Sequence, residues 1–252
     1  PKKILDQRVY LIDDVGILTN VTHEHLDYHK TLTAYIQAKA KLFRRSKLSI
    51  LNQDCAAYNQ VKQFLGGKSQ IKTYSLKQPL DPIIMSAINS KFPARYNQEN
   101  ALAAATAALE LGIQPQDIAT GLSSFPGVPG RLEYIANNHG LDVIVDFAHT
   151  PNALKVVLTE LRRRLPKGKK LIAVFGTAGL RDHAKRPIMG RVAADLADAV
   201  VLTAEDPRTE DVNQIIDQLS SGNSKFPFIK IPDRQAAINY AIIELAQPGD
   251  IV

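Results

Sequence analysis

The sequence predicts an α/β fold in two domains, the second built on an open, largely parallel sheet. Three observations lead there. After residue 142, short apolar runs alternate with helix-length amphipathic stretches, the pattern of strands joined by crossover helices. The segment Phe125-Pro126-Gly127-Val128-Pro129-Gly130 is dense in chain breakers and marks a boundary. The length of 252 residues, 45% of them apolar and 22% charged, is enough for two hydrophobic cores.

The elements follow in order. Val15–Thr19 is an apolar run that reads as a strand, and a helix is expected over Leu32–Arg44. Ser49–Asn52 and Ile71–Tyr74 read as further short strands. Asn100–Leu111 is rich in Ala and Leu and stops at Gly112; Pro115 opens the next helix, with Ile118 and Leu122 on it. Beyond the boundary, strand Val143–Phe147 leads to helix Pro151–Leu165, whose Leu154, Val157, Leu158 and Leu161 form one stripe. Strand Leu171–Phe175 leads to a helix around Pro187–Leu196, and strand Ala199–Thr203 to one around Asp211–Leu219. Strand Phe228–Ile231 leads to helix Arg234–Ala246, with Asp233 as its N-cap. Asp250-Ile251-Val252 reads as the start of one more strand.

Composition excludes several classes. Nothing suggests a disordered tail, a collagen-like chain or a coiled coil. No apolar stretch is long enough for a transmembrane helix, and the first residues open no apolar core of a signal peptide. The single Cys55 has no internal partner, which points to a reducing, cytoplasmic setting. The net charge of +6 comes from scattered basic residues without Trp, so nucleic acid is not the expected partner and small anionic substrates are. Neither a membrane nor a second copy of the chain is expected as a partner.

Several clusters carry chemistry. Thr19–His29 packs His23, His25, His29, Glu24 and Asp27 behind a strand end. It reads either as a solvated loop or as a metal or phosphate site. Leu32, Ile36 and Phe43 are expected to form the core stripe of the next helix, and Lys39 falls on the same line. A lysine there either snorkels to water or serves a neighbouring metal or phosphate. Gly66-Gly67-Lys68-Ser69 resembles the tail of a phosphate loop, but Lys62 stands where its first glycine belongs, so it reads as a surface turn. Asp146 at a strand end suits a ribose hydroxyl or a helix cap, while Thr150 and Pro151 suit the start of the following helix. Phe175–Pro187 is a small-residue loop loaded with bases, suited to close approach to an anion. Glu205-Asp206-Pro207-Arg208 follows the next strand.

Six segments then occur in one order: "TNVTHEHLDYHKTLTAYIQAKAKLF", "NQENALAAATAALELGI", "VPGRLE", "VIVDFAHTPNAL", "FGTAGLRDHAKRPIMGRVA" and "DPRTED". Together they resemble the Mur ligases, most closely the branch that adds the third residue to a UDP-N-acetylmuramoyl-dipeptide (MurE type). The resemblance implies residues 1–129 as part of a central ATP-binding domain and 130–252 as a Rossmann-like C-terminal ligase domain. It implies an ATP- and Mg2+-dependent ligase of peptidoglycan synthesis, in which a peptide carboxylate is phosphorylated and an amino acid's amine attacks the acyl phosphate. His25 corresponds to a magnesium ligand and Lys39 to the family's carbamylated lysine; with Lys185 these are the implied catalytic residues. Asn97 and Asn100 match a pair near the adenine, Arg131 a base facing the phosphates, Asp146 a ribose ligand and His149 a neighbour of the nucleotide. Arg181 and Lys185 match residues facing substrate carboxylate and phosphate. Arg208 matches the arginine that reads the far carboxylate of meso-diaminopimelate, with Asp206 where the family has Asn.

The implied partners are UDP-MurNAc-peptide and a diamino acid, diaminopimelate favoured over lysine. The family's N-terminal uridine-nucleotide domain, its "GTNGKT" loop and its "GKGHE" segment are not in these 252 residues, so the chain by itself is expected to be inactive. Two other readings stand beside this one: a folylpolyglutamate- or cyanophycin-type ligase, and a degenerate Mur-like subunit that binds nucleotide without turnover.

Overall fold

The structure, a computed structural model, describes residues 14–21, 29–66, 70–222 and 227–252. The chain divides into two compact units between Pro126 and Gly127.

In the first unit, β1 (Val15–Leu18), β2 (Leu48–Asn52) and β3 (Gln70–Tyr74) form a parallel sheet in sequence order. Successive residues of β2 serve opposite faces, as the pleat requires. Leu51 packs with α1 (Leu32–Phe43) and α2 (Tyr58–Leu65), through Ile36, Phe43, Val61 and Leu65. Ile50 packs with α3 (Pro82–Lys91), α4 (Arg95–Glu110) and α5 (Pro115–Ser124), through Ile84, Ile88, Leu102 and Ile118. The hydroxyl of Thr31 caps α1 by accepting the Ala34 N–H at 3.1 Å. Leu32, expected in the core stripe, is exposed; the buried face is Tyr35, Ile36, Ala40 and Phe43. Leu32 is the first residue of the helix. Gly66 in the left-handed conformation ends α2, and residues 67–69 of the expected surface turn lie outside the described residues.

In the second unit, β4 (Glu133–Ile135) pairs antiparallel with β5 (Val143–Val145), and β6 (Ile172–Phe175), β7 (Ala199–Leu202) and β8 (Ile229–Lys230) pair in parallel. The expected last strand supplies the join. Ile251 bridges in parallel to both Asp142 and Leu171, its N–H donating to Lys170 O at 2.9 Å and its carbonyl accepting the Ile172 N–H at 2.8 Å. Asp250 is buried beside it and accepts the Lys170 and Gln247 N–H groups at 2.9 Å each.

α6 (Pro151–Arg164) starts on Thr150, whose hydroxyl accepts the Ala153 N–H at 3.2 Å, with Pro151 in its first turn. Its stripe Leu154, Val157, Leu158 and Leu161 is buried, as the periodicity predicts. α6 packs on α7 (Lys185–Leu196), and α7 on α8 (Val212–Ser220). Asp233 caps α9 (Arg234–Asn239), but the expected single helix changes at Tyr240–Leu245 to a π-helical turn.

Gly190 in α7 shows how closely these helices approach: a Cβ there would lie 2.0 Å from Leu219 O of α8. Gly121 in α5 has open space at the same position. Gly190→Ala is therefore expected to destabilise the protein by roughly 1–3 kcal/mol through overpacking. Gly121→Ala is expected to stabilise it by about 0.5–1 kcal/mol through helix propensity. Urea unfolding of both variants against the parent checks the opposite signs.

Candidate active site

In the first unit the described part of the candidate site lies on α1 and α4. Lys39 is half-buried, and its Nζ stands 5.0 Å from the centre of the Tyr35 ring, one helical turn back. His29 meets the same ring, the centroids 5.1 Å apart. Tyr35 thus collects both bases on one buried aromatic, a residue that the sequence reading of this helix did not single out. His25 lies outside the described residues. Among the described residues no three His, Cys, Asp or Glu side chains gather as a metal site. Asn97 and Asn100 sit in the first two turns of α4, Asn97 half-buried and Asn100 exposed.

In the second unit two clusters stand at the carboxyl ends of strands, the edge where ligands bind in open α/β sheets. The first follows β5. Asp146 accepts the Leu132 N–H with one carboxylate oxygen and the Ala148 N–H with the other, both at 2.9 Å. It holds the loop, including Leu132 at φ 46°, while Thr150 caps the helix; each oxygen keeps capacity for one more donor. Arg131 lies over the exposed Phe147 ring at 4.7 Å, and His149 meets the same ring at 5.0 Å. Lys185 at the start of α7 donates to His149 O at 2.7 Å. Phe147 was missed from the sequence, though it stands inside the "VIVDFAHT" run.

The second cluster joins the loops after β6 and β7. The Gly179 N–H donates to Asp206 O at 2.8 Å. A Cβ on Gly176 would lie 2.2 Å from Thr203 O, and one on Gly179 2.0 Å from Pro207 O, so both positions must be glycine for the loops to touch. Arg208 Nε lies 3.5 Å from Asp206 Oδ2, and both side chains reach solvent. Arg181 is exposed on the facing loop. Arg186, expected among the bases that face an anion, is fully buried instead. It donates from Nη1 to Gln218 Oε1 (2.6 Å) and lies 2.8 Å from Glu210 Oε2. Its Nη2 donates to Ala178 O at 3.3 Å. Glu210 also accepts the Leu180 N–H and lies 3.2 Å from His183 Nε2.

Sequence comparison joins these clusters to a family. Residues 5–108 match the Mur ligase middle domain, and residues 130–252 match the Mur ligase glutamate ligase domain. The chain belongs to the Mur ligase family. It is 39% identical over 267 residues to the UDP-N-acetylmuramoyl-L-alanyl-D-glutamate–2,6-diaminopimelate ligase of Clostridium tetani, a match covering 97% of this chain and 54% of that protein. A solved structure of a ligase with the same name is 33% identical, with a TM-score of 0.52, over 95% of this chain and 54% of that one. The bifunctional folylpolyglutamate synthase/dihydrofolate synthase of Yersinia pestis, complexed with AMPPNP and Mn, is 20% identical with a TM-score of 0.68. That match covers 95% of this chain and 57% of the synthase, and it shows shared fold alone. The chain spans about half the length of the curated relatives it matches.

The Glu210 contacts give a testable pH dependence. The hydrogen bond from Arg186, then that from the Leu180 N–H, takes its carboxyl from the ordinary 4.5 down to about 2. A group depressed in the folded state contributes stability that is complete above its unfolded value and lost as pH falls through the folded one. Stability should therefore fall between pH 4.5 and about 2. Glu210→Gln should flatten that part of the profile, read from urea midpoints across the range.

Proposed function

We propose that the protein carrying this chain is an ATP-dependent ligase. It joins meso-diaminopimelate to the peptide of UDP-MurNAc-L-Ala-D-Glu through an acyl phosphate, in peptidoglycan synthesis. The observation that carries this reading is Arg208, held beside Asp206 at the carboxyl edge of the parallel sheet. An arginine fork binds a carboxylate with two hydrogen bonds, and an adjacent carboxylate receives an ammonium. Together they suit a zwitterionic end group, which diaminopimelate has and lysine lacks. The names of the relatives at 35–39% identity support the same choice, and the lower identity to the folylpolyglutamate synthase speaks against that branch.

The other roles follow from place and chemistry. Asp146 keeps acceptors for ribose hydroxyls, and Arg131 and His149 flank it on the Phe147 ring, where a nucleotide would lie. Asn97 and Asn100 present amides to an adenine. Lys185 and Arg181 supply positive charge for the phosphate and the carboxylate. As an ammonium, Lys39 suits the Tyr35 π face but not a metal ion; it would join His25 in holding Mg2+ once the ammonium had given up one proton, added CO2 as the free amine, and released a second proton to leave a carbamate. The magnesium then supplies charge neutralisation for phosphoryl transfer. The buried thiol of Cys55 and the absence, among the described residues, of a helix long and apolar enough to cross a membrane suit a cytoplasmic enzyme.

The test uses the protein as produced from its natural gene, with ADP release followed on UDP-MurNAc-L-Ala-D-Glu and either diaminopimelate or lysine. Diaminopimelate should be preferred, and Arg208→Ala should lower that preference by roughly 1–3 kcal/mol, the scale of charge-assisted hydrogen bonds. Lys39→Ala should abolish ADP release. Preference for lysine, unchanged by Arg208→Ala, would overturn the assignment.

A further inference from the structure

Two residues of the second cluster adopt a backbone conformation that side chains disfavour. Leu180 has φ 53° and Arg208 has φ 54°. Each is strained for a residue with a side chain and persists only where its surroundings fix it. Both are fixed by one residue. The backbone N–H of Glu210 donates to Pro207 O at 3.0 Å and closes the turn that contains Arg208. The side chain of Glu210 reaches to the other loop and accepts the N–H of Leu180, the residue before Arg181.

The far side of Glu210 is anchored with equal care. Its second oxygen meets Nη1 of Arg186, which is wholly buried and tied in turn to Gln218 of α8 and to the carbonyl of Ala178. His183 closes the set at 3.2 Å. Glu210 itself is 16% exposed and faces these partners from between the loops. The glycine contacts at 176 and 179 leave no slack on the opposite side.

We propose that Glu210 is a positioning residue for amino-acid selection: it fixes the backbone of Arg181 against that of Arg208, and so sets the spacing at which the two carboxylates of the incoming amino acid are received. The proposal rests on the reading of Arg181 and Arg208 as substrate-binding groups. Glu210 touches no substrate in this account. It acts through two left-handed residues whose geometry it determines, and it does so with a charge whose partners are all internal to the protein.

A merely structural staple would lower stability and leave specificity alone. The experiment is steady-state kinetics on the protein as produced from its natural gene, with ATP and each amino acid varied separately. Glu210→Gln keeps the shape and loses the charge. Gly179→Ala leaves every charge in place and forces the same loops apart. Both should raise KM for diaminopimelate about tenfold, the equivalent of one charge-assisted hydrogen bond, with KM for ATP unchanged. Both should narrow the preference for diaminopimelate over lysine, and Glu210→Asp should restore part of it. Adding Arg208→Ala to Glu210→Gln should cost less than the product of the single effects, because the two act on one contact. Melting curves fix the temperature at which each variant is folded for assay. If Arg181→Ala and Arg208→Ala raise KM for the amino acid but Glu210→Gln and Gly179→Ala do not, the positioning role is refuted and the substrate reading stands. If the arginine variants are themselves silent, the substrate reading fails and takes the proposal with it.

Discussion

Parallel pairing is the constraint on which both units depend. Strands that all run one way put all their carboxyl ends on one edge, and every loop that leaves that edge competes for the same space. In the second unit the loops after β6 and β7 meet there at backbone distance, the Gly179 N–H on the Asp206 carbonyl. Sheet register then becomes site geometry. Phe175 pairs with Leu202, so the residues that follow them leave the sheet together, and the first glycine on one side faces the Thr203 carbonyl on the other.

The Arg186–Glu210 pair is better understood as a device of geometry than of stability. Taking a guanidinium wholly out of water carries a desolvation penalty that its partners only repay when each is well placed. Arg186 meets that condition on two of its nitrogens, through Glu210, Gln218 and Ala178, while its buried Nε has no partner among the described residues. An apolar side chain of similar volume would avoid the penalty. It would not set the angle between two loops, because apolar contact is indifferent to direction and a planar guanidinium is not.

The sequence showed some layers of this structure plainly. The helix from Pro151 was legible because its cap, its first proline and its stripe all agree, and the structure has each of them. The C-terminal strand was legible from three residues, though not its place between Asp142 and Leu171, which pairing alone decides. α2 was missed because it is short and only Val61 and Leu65 are fully buried, with Tyr58 and Phe64 packed partly exposed at the margin of the core. β4 was missed because it is three residues long and two of them are exposed, so no alternation marks it. Among the site residues, motif order carried the charged groups that face outward. It did not carry Arg186, whose lysine- and arginine-rich neighbourhood reads as a surface. It included Glu210, inside "DPRTED", but gave it no role, because its contacts lie 24 and 30 positions away in sequence. Its place two residues after Arg208 in that motif was the available signal.

A carboxylate beside Arg208 would cancel its charge if the two were tightly paired and buried. The geometry argues otherwise. Arg208 Nε is 3.5 Å from the carboxylate, at the outer limit of a hydrogen bond, and Asp206 is 64% exposed. An ion pair this open to water is worth little, so it is readily exchanged for a substrate. The Arg208 turn is held from behind, by the Glu210 N–H on Pro207 O, and does not need the Asp206 contact to keep its shape. On the proposed reading the pair is a resting arrangement whose two charges separate onto the two charges of a diaminopimelate end group. On that same reading a lysine side chain would engage Asp206 and leave Arg208 facing its ammonium, and that asymmetry would be the physical source of selection between the two amino acids.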